Sequence, residues 1–323
     1  MIPEAAARAI GRPLVSARRV AGGDINEAWQ VELGGGVRAF VKSRPRAKPG
    51  EYATEAAGLR WLGEAEHGLP VPEVLAVGDV SGSGSFVRDP DDPGSTGRGG
   101  SPARGASGSD GVGPSFLALS WIDAGALGER GEEALGRGIA HIHAAGAPAF
   151  GAPPPGAPNG GLRIGDVELP AAESSDWPAF YGEHRLAARL RAASDRGALP
   201  SGGARAVVTV IERLAGLAGP PEPPARLHGD LWRGNVLAAA DGRPHLIDPA
   251  AHGGHREVDL AMLRLFGGPS PRMLGAYQEV HPLADGHERR LPLWQLFPLL
   301  VHAVLFGGPY GASALRAARQ AAP

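Results

Sequence analysis

The chain has 323 residues, a formal net charge of −2 and no cysteine. Disulfides, thiolate metal sites and thiol catalysis are therefore excluded, and no general attraction to nucleic acid or an anionic membrane is expected. The length exceeds what one small core serves, and there is neither an apolar run of the ~20 residues that cross a bilayer nor a cationic start followed by an apolar stretch; a cytoplasmic protein of two lobes or two domains is predicted. Residues 13–42 read as three short strands, RPLVSARRVAG, NEAWQVELGG and GVRAFVK, separated by glycine-rich turns. EYATEAAGLRWLGEAE (51–66) sets Tyr52, Ala56, Leu59 and Leu62 at helical spacing. VPEVLAVG (71–78) and SFLALSWID (115–123) are strands. Between them, 81–114 is almost wholly Gly, Ser, Pro, Asp and Arg. Such a segment cannot bury enough apolar surface to order itself, which predicts a disordered insertion in a loop.

Beyond 123 the pattern turns helical, with apolar residues three and four apart in 133–146, 176–194 and 204–219. The short β-like runs NVLAA and PHLID follow, on either side of the turn DGRP. Residues 257–268, 273–280 and 287–308 close the chain as helices. The last is apolar on most sides, and its Pro292 and Pro298 predict a late start or a kink.

The chemistry concentrates in RLHGDLWRGNVL (226–237). Asn235 follows Asp230 by five residues, and Asp248, in LIDP, follows Asn235 by thirteen. Phosphoryl transfer from ATP needs a carboxylate to orient or deprotonate the acceptor hydroxyl, oxygen ligands for Mg²⁺ and a cation for the phosphates. The order and spacing predict Asp230 in the first role and Asn235 and Asp248 as the metal ligands, brought together by the hairpin between them. Taken singly, HGD is a turn with a side-chain cap, Asn235 a loop residue and IDP a strand end. The combination is what is specific.

HGDLWRGNVL, LIDPA, GHREVDLAM and LFGG resemble the fructosamine kinase family, within the aminoglycoside-phosphotransferase and protein-kinase-like superfamily. GGDINEAWQV, FVK, EAAGLRWL, VPEVLAVG, DWPAFYGEHRL and LFGGPY extend the likeness over nearly the whole chain outside 81–114. It implies an α+β, two-lobed kinase-like fold. The N-lobe would span 1–119. The C-lobe, 120–323, would hold the catalytic loop, metal ligands and substrate pocket, with the nucleotide in the cleft. The likeness further implies that Gly22 and Gly23 cover the phosphates, that Lys42 binds them and is held by Glu55, and that Leu119, Ser120, Trp121 and Ile122 bind adenine through the backbone. Of the 32 basic residues only Lys42 and Lys48 are lysine. That scarcity favours a task for Lys42, since arginine does not replace a compact ammonium. The plain alternatives are a solvated strand end for Lys42 and an exposed helix carboxylate for Glu55. His228 is expected to shape the loop, Asp259 to brace it, and His255 and Glu257 to face the sugar. Trp232 can offer its ring to a sugar or pack against the C-lobe. His141 and His143 stand two apart on a helix and do not share a face, so no metal site is read there.

The activity implied is ATP- and Mg²⁺-dependent phosphorylation of the 3-hydroxyl of a ketosamine, such as a fructosamine or ribulosamine adduct, in protein or metabolite deglycation. A kinase for an aminoglycoside, choline or another alcohol is the alternative enzyme. A non-catalytic nucleotide-binding regulator is the alternative of another class, and the intact set Lys42, Glu55, Asp230, Asn235 and Asp248 weighs against it. Some family members carry a cysteine in the phosphate-covering turn. Gly-Asp stands there in this chain, so disulfide-linked dimerisation is excluded. The insertion could fold over the nucleotide, bind a partner or do neither. From residue 251 onward five acidic residues (Glu257, Asp259, Glu279, Asp285 and Glu288) face seven arginines, poor material for trapping a polycation. Trp232, Trp294, Phe306 and Tyr310 are available instead to stack on sugar faces.

Overall fold

A computed structural model describes residues 1–20, 26–79, 114–158, 161–170 and 172–323. Gly22, Gly23 and all of the expected insertion except Pro114 lie outside the described residues. The chain forms two compact units, Met1–Ala53 with Val74–Trp121, and Thr54–Glu73 with Ile122–Pro323. The lobes were expected to meet at 119/120; by contact, residues 120 and 121 go with the first unit and residues 54–73 with the second.

In the first unit, α1 (Ile2–Ile10) is followed by β1 (Leu14–Val20), β2 (Glu27–Leu33) and β3 (Val37–Ser43), then by the start of α2 (Glu51–Gly63), β4 (Val74–Gly78) and β5 (Phe116–Ser120). The strands form one antiparallel sheet in the order β1-β2-β3-β5-β4. Sequence periodicity did not announce α1, because its inner face is only Ala5, Ala6 and Ala7. These small residues let the helix lie close on Trp29, Val31, Val41, Phe116 and Ala118 of the sheet. Gly11 ends it in the left-handed region (φ 78°), its N–H donating to the carbonyls of Ala7 and Arg8.

The second unit contains the rest of α2 and α3 (Glu129–Ala144), then the hairpin of β6 (Arg163–Ile164) and β7 (Val167–Glu168). A continuous helical run follows, made of α4 (Trp177–Phe180), a π-helical segment (Tyr181–Ala187) and α5 (Ala188–Asp195). After α6 (Gly203–Leu217) come β8 (Ala225–Leu227), β9 (Val236–Ala238), β10 (Pro244–Leu246) and β11 (His252–Gly254). The chain closes with α7 (Glu257–Leu265), α8 (Pro271–Val280), α9 (His287–Phe306) and α10 (Pro309–Ala321). β9 pairs with β10 as the sequence predicts, whereas the pairing of β8 with β11 was not foreseen. Both of those strands are three residues long, too short to show an alternation. Trp61, Leu62, Ala65 and Leu69 pack against Leu135, Ile139, Leu231, Leu246 and Leu260, and the Arg226 guanidinium lies 4.8 Å from the centre of the Trp61 ring. This packing is what joins 54–73 to the second unit.

Helix α9 runs unbroken through Pro292 and Pro298, so neither proline delays its start. Pro298 has no N–H for the carbonyl of Trp294, one turn earlier. The Tyr181 hydroxyl, from the π-helical segment, donates to that carbonyl at 3.3 Å and to Leu293 O at 3.2 Å. The tertiary contact thereby satisfies a buried acceptor that the helix cannot. Tyr181→Phe is expected to destabilise the protein by about 1–2 kcal/mol in urea denaturation. The loss should shrink in a Pro298→Ala background, where the helix recovers its own donor; equal losses in both backgrounds would rule the compensation out.

Candidate active site

Strand β8 delivers the chain into His228, Gly229 and Asp230. Ala250 N donates to His228 O at 3.0 Å, so the segment before β11 presses on this loop. Gly229 has φ 82°, and a Cβ there would lie 2.0 Å from Ala250 O, so no other residue fits. A single turn of 3₁₀ helix, Arg233–Asn235, leads into β9.

Asn235 is buried and links the two carboxylate residues. Its Nδ2 donates to the main-chain oxygen of Asp230 at 2.8 Å and to Asp230 Oδ2 at 3.2 Å, and lies 3.5 Å from Asp248 O. With the nitrogen so directed, the amide presents its oxygen as the group a cation could take. Ile247 N donates to Asn235 O at 3.1 Å, tying the turn before β9 to the residue preceding Asp248. Asp248 is exposed, and its φ of 52° is left-handed, which costs a side chain with a Cβ on the order of 1 kcal/mol. An amide oxygen and a carboxylate are hard donors of the kind Mg²⁺ takes. Burial, with the added repulsion of Asp248 and Asp259 and only partial relief from the Asn235 hydrogen bond, pushes Asp230 up to about 7. A carboxylate in that range can take up a proton near neutral pH, and a cation beside Asn235 and Asp248 would draw the value down again.

The loop is anchored from beneath by Asp259, in the first turn of α7. Its Oδ2 accepts the N–H of His228 at 2.7 Å, and its Oδ1 that of Gly229 at 3.0 Å. His143 Nε2, on α3, lies 3.3 Å from the same carboxylate, and His143 Nδ1 lies 2.9 Å from the Tyr277 hydroxyl on α8. Burial alone would raise Asp259. The His143 hydrogen bond, the neighbouring imidazoles and the His228 N–H outweigh it and hold the carboxyl below its ordinary value. His228 Nδ1 accepts the N–H of Asp230 at 3.3 Å while Nε2 faces Ile247 O at 3.0 Å. That pattern makes the imidazole the neutral Nε2–H form, and burial lowers its pKa in the same sense.

His143 and Tyr277 were not among the expected site residues. The available signal was that His143 falls on the buried face of its helix with Ile139 and Ile142.

Lys42 lies in the first unit, on β3 between Ala28 of β2 and Leu117 of β5, and is buried rather than a solvated strand end. Glu55 is a half-buried residue of α2 in the second unit. Leu119 and Ser120 pair with Phe40 and Ala39 of β3, Trp121 N donates to Arg38 O at 3.1 Å, and Ile122 begins the longer of the two stretches that make up the second unit.

The expectation that His255 and Glu257 face the sugar is corrected. Each is only 3 % exposed. Glu257 accepts from Arg290 at 2.9 and 2.6 Å and from Trp294 Nε1 at 2.7 Å, and His255 stacks on the Trp294 ring at 5.1 Å. Glu222, His255 and Glu257 bring ligand atoms within 4.8 Å of one another. Both carboxylates are already neutralised, however, since Arg256 grips Glu222 through two bonds of 2.7 Å. Trp294 is fully buried, so it is not a sugar platform. Trp232 is 40 % exposed. Its indole lies where a Cβ on Gly234 would be, 2.2 Å from the ring, and it meets Phe266 edge-on at 6.4 Å.

Comparison with known proteins adds four findings. The fructosamine kinase family matches residues 3–321. The probable ketoamine kinase of Thermus thermophilus is 33% identical over 289 residues, 90% of this chain and 87% of its own. A crystallised Thermobifida fusca chain that provisionally carries the name fructosamine-3-kinase is 39% identical, covers 99% of both chains and superimposes with a TM-score of 0.80. An aminoglycoside phosphotransferase crystallised with AMP-PNP and hygromycin B shares the fold at 18% identity and a TM-score of 0.58, with 99% of this chain covered. The α+β kinase-like fold expected from the sequence is therefore present.

Asp259→Asn is expected to lower stability at neutral pH by at least about 2 kcal/mol, because two loop N–H groups lose a charged acceptor. Since folding depresses the Asp259 pKa, its contribution is present above the unfolded value of about 4 and fades as the pH falls below it. Urea denaturation at stepped pH should show the gap between wild type and variant narrowing with acid. A gap that widens would contradict this sign.

Proposed function

We propose that this chain, which belongs to the fructosamine kinase family, transfers the γ-phosphoryl group of ATP to a sugar hydroxyl of a ketosamine, at the 3-position. The observation that supports the reading most is the Asp230–Asn235 pair. Its two side chains are hydrogen-bonded to each other beside Asp248, in a chain matched to the family over nearly its whole length. Phosphate at the 3-position sits on the carbon next to the C2 ketone; once a C1 proton is lost and the ketosamine enolises, phosphate leaves from C3, and water hydrolyses the resulting C1=N imine to release the amine; the role would be deglycation.

In this reading Asp230 orients the acceptor hydroxyl and takes its proton as the hydroxyl oxygen bonds to the γ-phosphorus and the bond to the β-phosphate oxygen breaks. Asn235 and Asp248 would hold Mg²⁺, which when bound supplies positive charge to the phosphate oxygens. By the family resemblance, Lys42 and Glu55 would serve the phosphates, Gly22 and Gly23 would cover them, and residues 119–122 would meet the adenine through their backbone. Asp259, and His143 behind it, keep the loop in the form that aims Asp230.

A polycationic acceptor is the competing reading, and the carboxylates of the C-terminal region argue against it. Glu257 and Asp259 are buried and committed to Arg290 and to loop N–H groups, Glu279 pairs with Arg137 at 2.8 Å, and Glu288 lies 3.9 Å from Arg264. Little charge is left to gather several ammonium groups.

Asp230→Asn should lower kcat roughly 10²–10⁴-fold, the usual worth of a positioned base, with the nucleotide Kd nearly unchanged. Asp248→Ala should abolish the magnesium dependence of nucleotide binding in calorimetry, with Asn235→Ala milder because a neutral ligand is lost. Retention of wild-type turnover by Asp230→Asn would remove it from the proton-taking role.

In a substrate panel read by mass spectrometry, fructosylated or ribosylated lysine should be phosphorylated with kcat/KM at least about tenfold above kanamycin or choline, the scale of a few well-placed polar contacts. A higher kcat/KM for kanamycin would replace the ketosamine reading with an aminoglycoside one.

A further inference from the structure

The pentapeptide Leu-Phe-Gly-Gly-Pro occurs twice, at 265–269 and 305–309. Each copy ends a helix, the first α7 and the second α9. All four glycines have positive φ, 108° and 62° at Gly267 and Gly268, 64° and 58° at Gly307 and Gly308, and a Cβ on any of them would meet nothing within 4 Å. The glycines therefore serve backbone conformation and not close packing. They follow a phenylalanine that ends α9 in one copy and lies just past the end of α7 in the other, and they turn the chain away in open space.

The two phenylalanines belong to one row of rings. Trp232 meets Phe266 at 6.4 Å, Phe266 meets His302 at 4.8 Å, and His302 meets Phe306 at 5.6 Å and Tyr310 at 5.1 Å. Trp232 and Phe306 are exposed, at 40 % and 58 %, and Phe266, His302 and Tyr310 between them are half-buried. Rings in contact and open to solvent at both ends of such a row form an apolar patch of the kind that marks a binding surface. The row carries no formal charge at neutral pH. His302 donates Nδ1–H to Pro298 O at 2.7 Å, and burial lowers its pKa; the neighbouring Arg264 lies 3.9 Å from Glu288. The row also has a defined start. Trp232 stands two residues after Asp230, its N–H donating to Asp230 O at 3.1 Å, and its indole is seated over the backbone of Gly234.

We propose that this row seats the substituent on the ketosamine nitrogen. It would thereby select adducts of amines whose first carbons carry an uncharged aromatic or aliphatic group over adducts whose substituent bears a carboxylate or a second cation close to the nitrogen. The inference rests on the ketosamine reading and deepens it. With a sugar hydroxyl at Asp230, the carbon-bound face of the sugar lies toward Trp232, and the rest of the molecule continues along Phe266, His302 and Phe306. The protonated nitrogen between sugar and substituent is attracted to the indole face. The substituent then meets rings alone, and a charged group there would lose water without gaining a partner.

The test compares fructosamines of benzylamine, glycine and 1,2-diaminoethane, which share one sugar. Wild type should show kcat/KM for the benzylamine adduct about tenfold or more above the other two. Phe306→Ala and Phe266→Ala should each cut that preference roughly 3–10-fold, the scale of one aromatic contact. Phe306 is exposed enough that its loss should leave the melting temperature nearly unchanged. Equal kcat/KM for the three adducts, or a preference undiminished in Phe306→Ala, would overturn the proposal. Should no ketosamine be turned over, the ketosamine assignment fails, and calorimetry with the same adducts still decides about the row. Tighter binding of the benzylamine adduct, lost in Phe306→Ala, would uphold it; equal binding of all three would sink it.

Discussion

One carboxylate, Asp259, sets the conformation on which the candidate site depends. The loop after β8 turns back under Ala250 with a positive φ at Gly229, a shape that leaves the N–H groups of His228 and Gly229 without strand partners. Asp259 accepts both. A buried carboxylate is costly, and this one is tolerable because three donors converge on it, the two amides and His143. The consequence runs outward in steps. The fixed backbone places His228, whose ring bridges to Ile247 O. That contact and the Asn235–Ile247 bond hold the strand pair β9-β10 against the loop, and so fix Asn235 relative to Asp230 and Asp248. Asp230 owes its aim to a residue twenty-nine positions away in sequence that faces no solvent.

A second group of buried charges has another purpose. Glu222 with Arg256, and Glu257 with Arg290, join the segment before β8 to the start of α7 and to α9. The guanidiniums also hold the carbonyls of His281, Pro282, Ala284 and Asp285 in the connection between α8 and α9. Buried pairs of this type gain little net stability over apolar packing. What they fix is how the connecting segments lie, and hence where α7, carrying Asp259, begins. The family-like run GHREVDLAM thus holds two kinds of acid: Glu257 secures the scaffold, and Asp259 secures the loop.

The sequence made the candidate site more legible than the packing. Asp230, Asn235 and Asp248 could be picked out because phosphoryl transfer asks for few residue types at narrow spacing, and the structure brings Asn235 against both aspartates. Strands β2 and β3 and helix α2 were readable from apolar periodicity. Helix α1 was not, because alanines make a close-fitting face without a hydrophobic signature. Strands β8 and β11 were too short to show alternation. His255 and Glu257 were misplaced because polar residues in a motif look alike whether they meet a ligand or an arginine. Only the three-dimensional partner, Arg290 for one and the Trp294 ring for the other, tells the two apart. His143 was overlooked because its partner Asp259 lies 116 residues further along, a distance over which spacing carries no information.

The left-handed backbone at Asp248 has a consequence for how such a protein can change over generations. Glycine or asparagine would occupy φ 52° with less strain, so the fold taken alone favours losing this carboxylate. Selection for stability alone should favour that replacement, and in the proposed reading it would cost a metal ligand. An aspartate at this place would then serve the proposed chemistry against the preference of the chain.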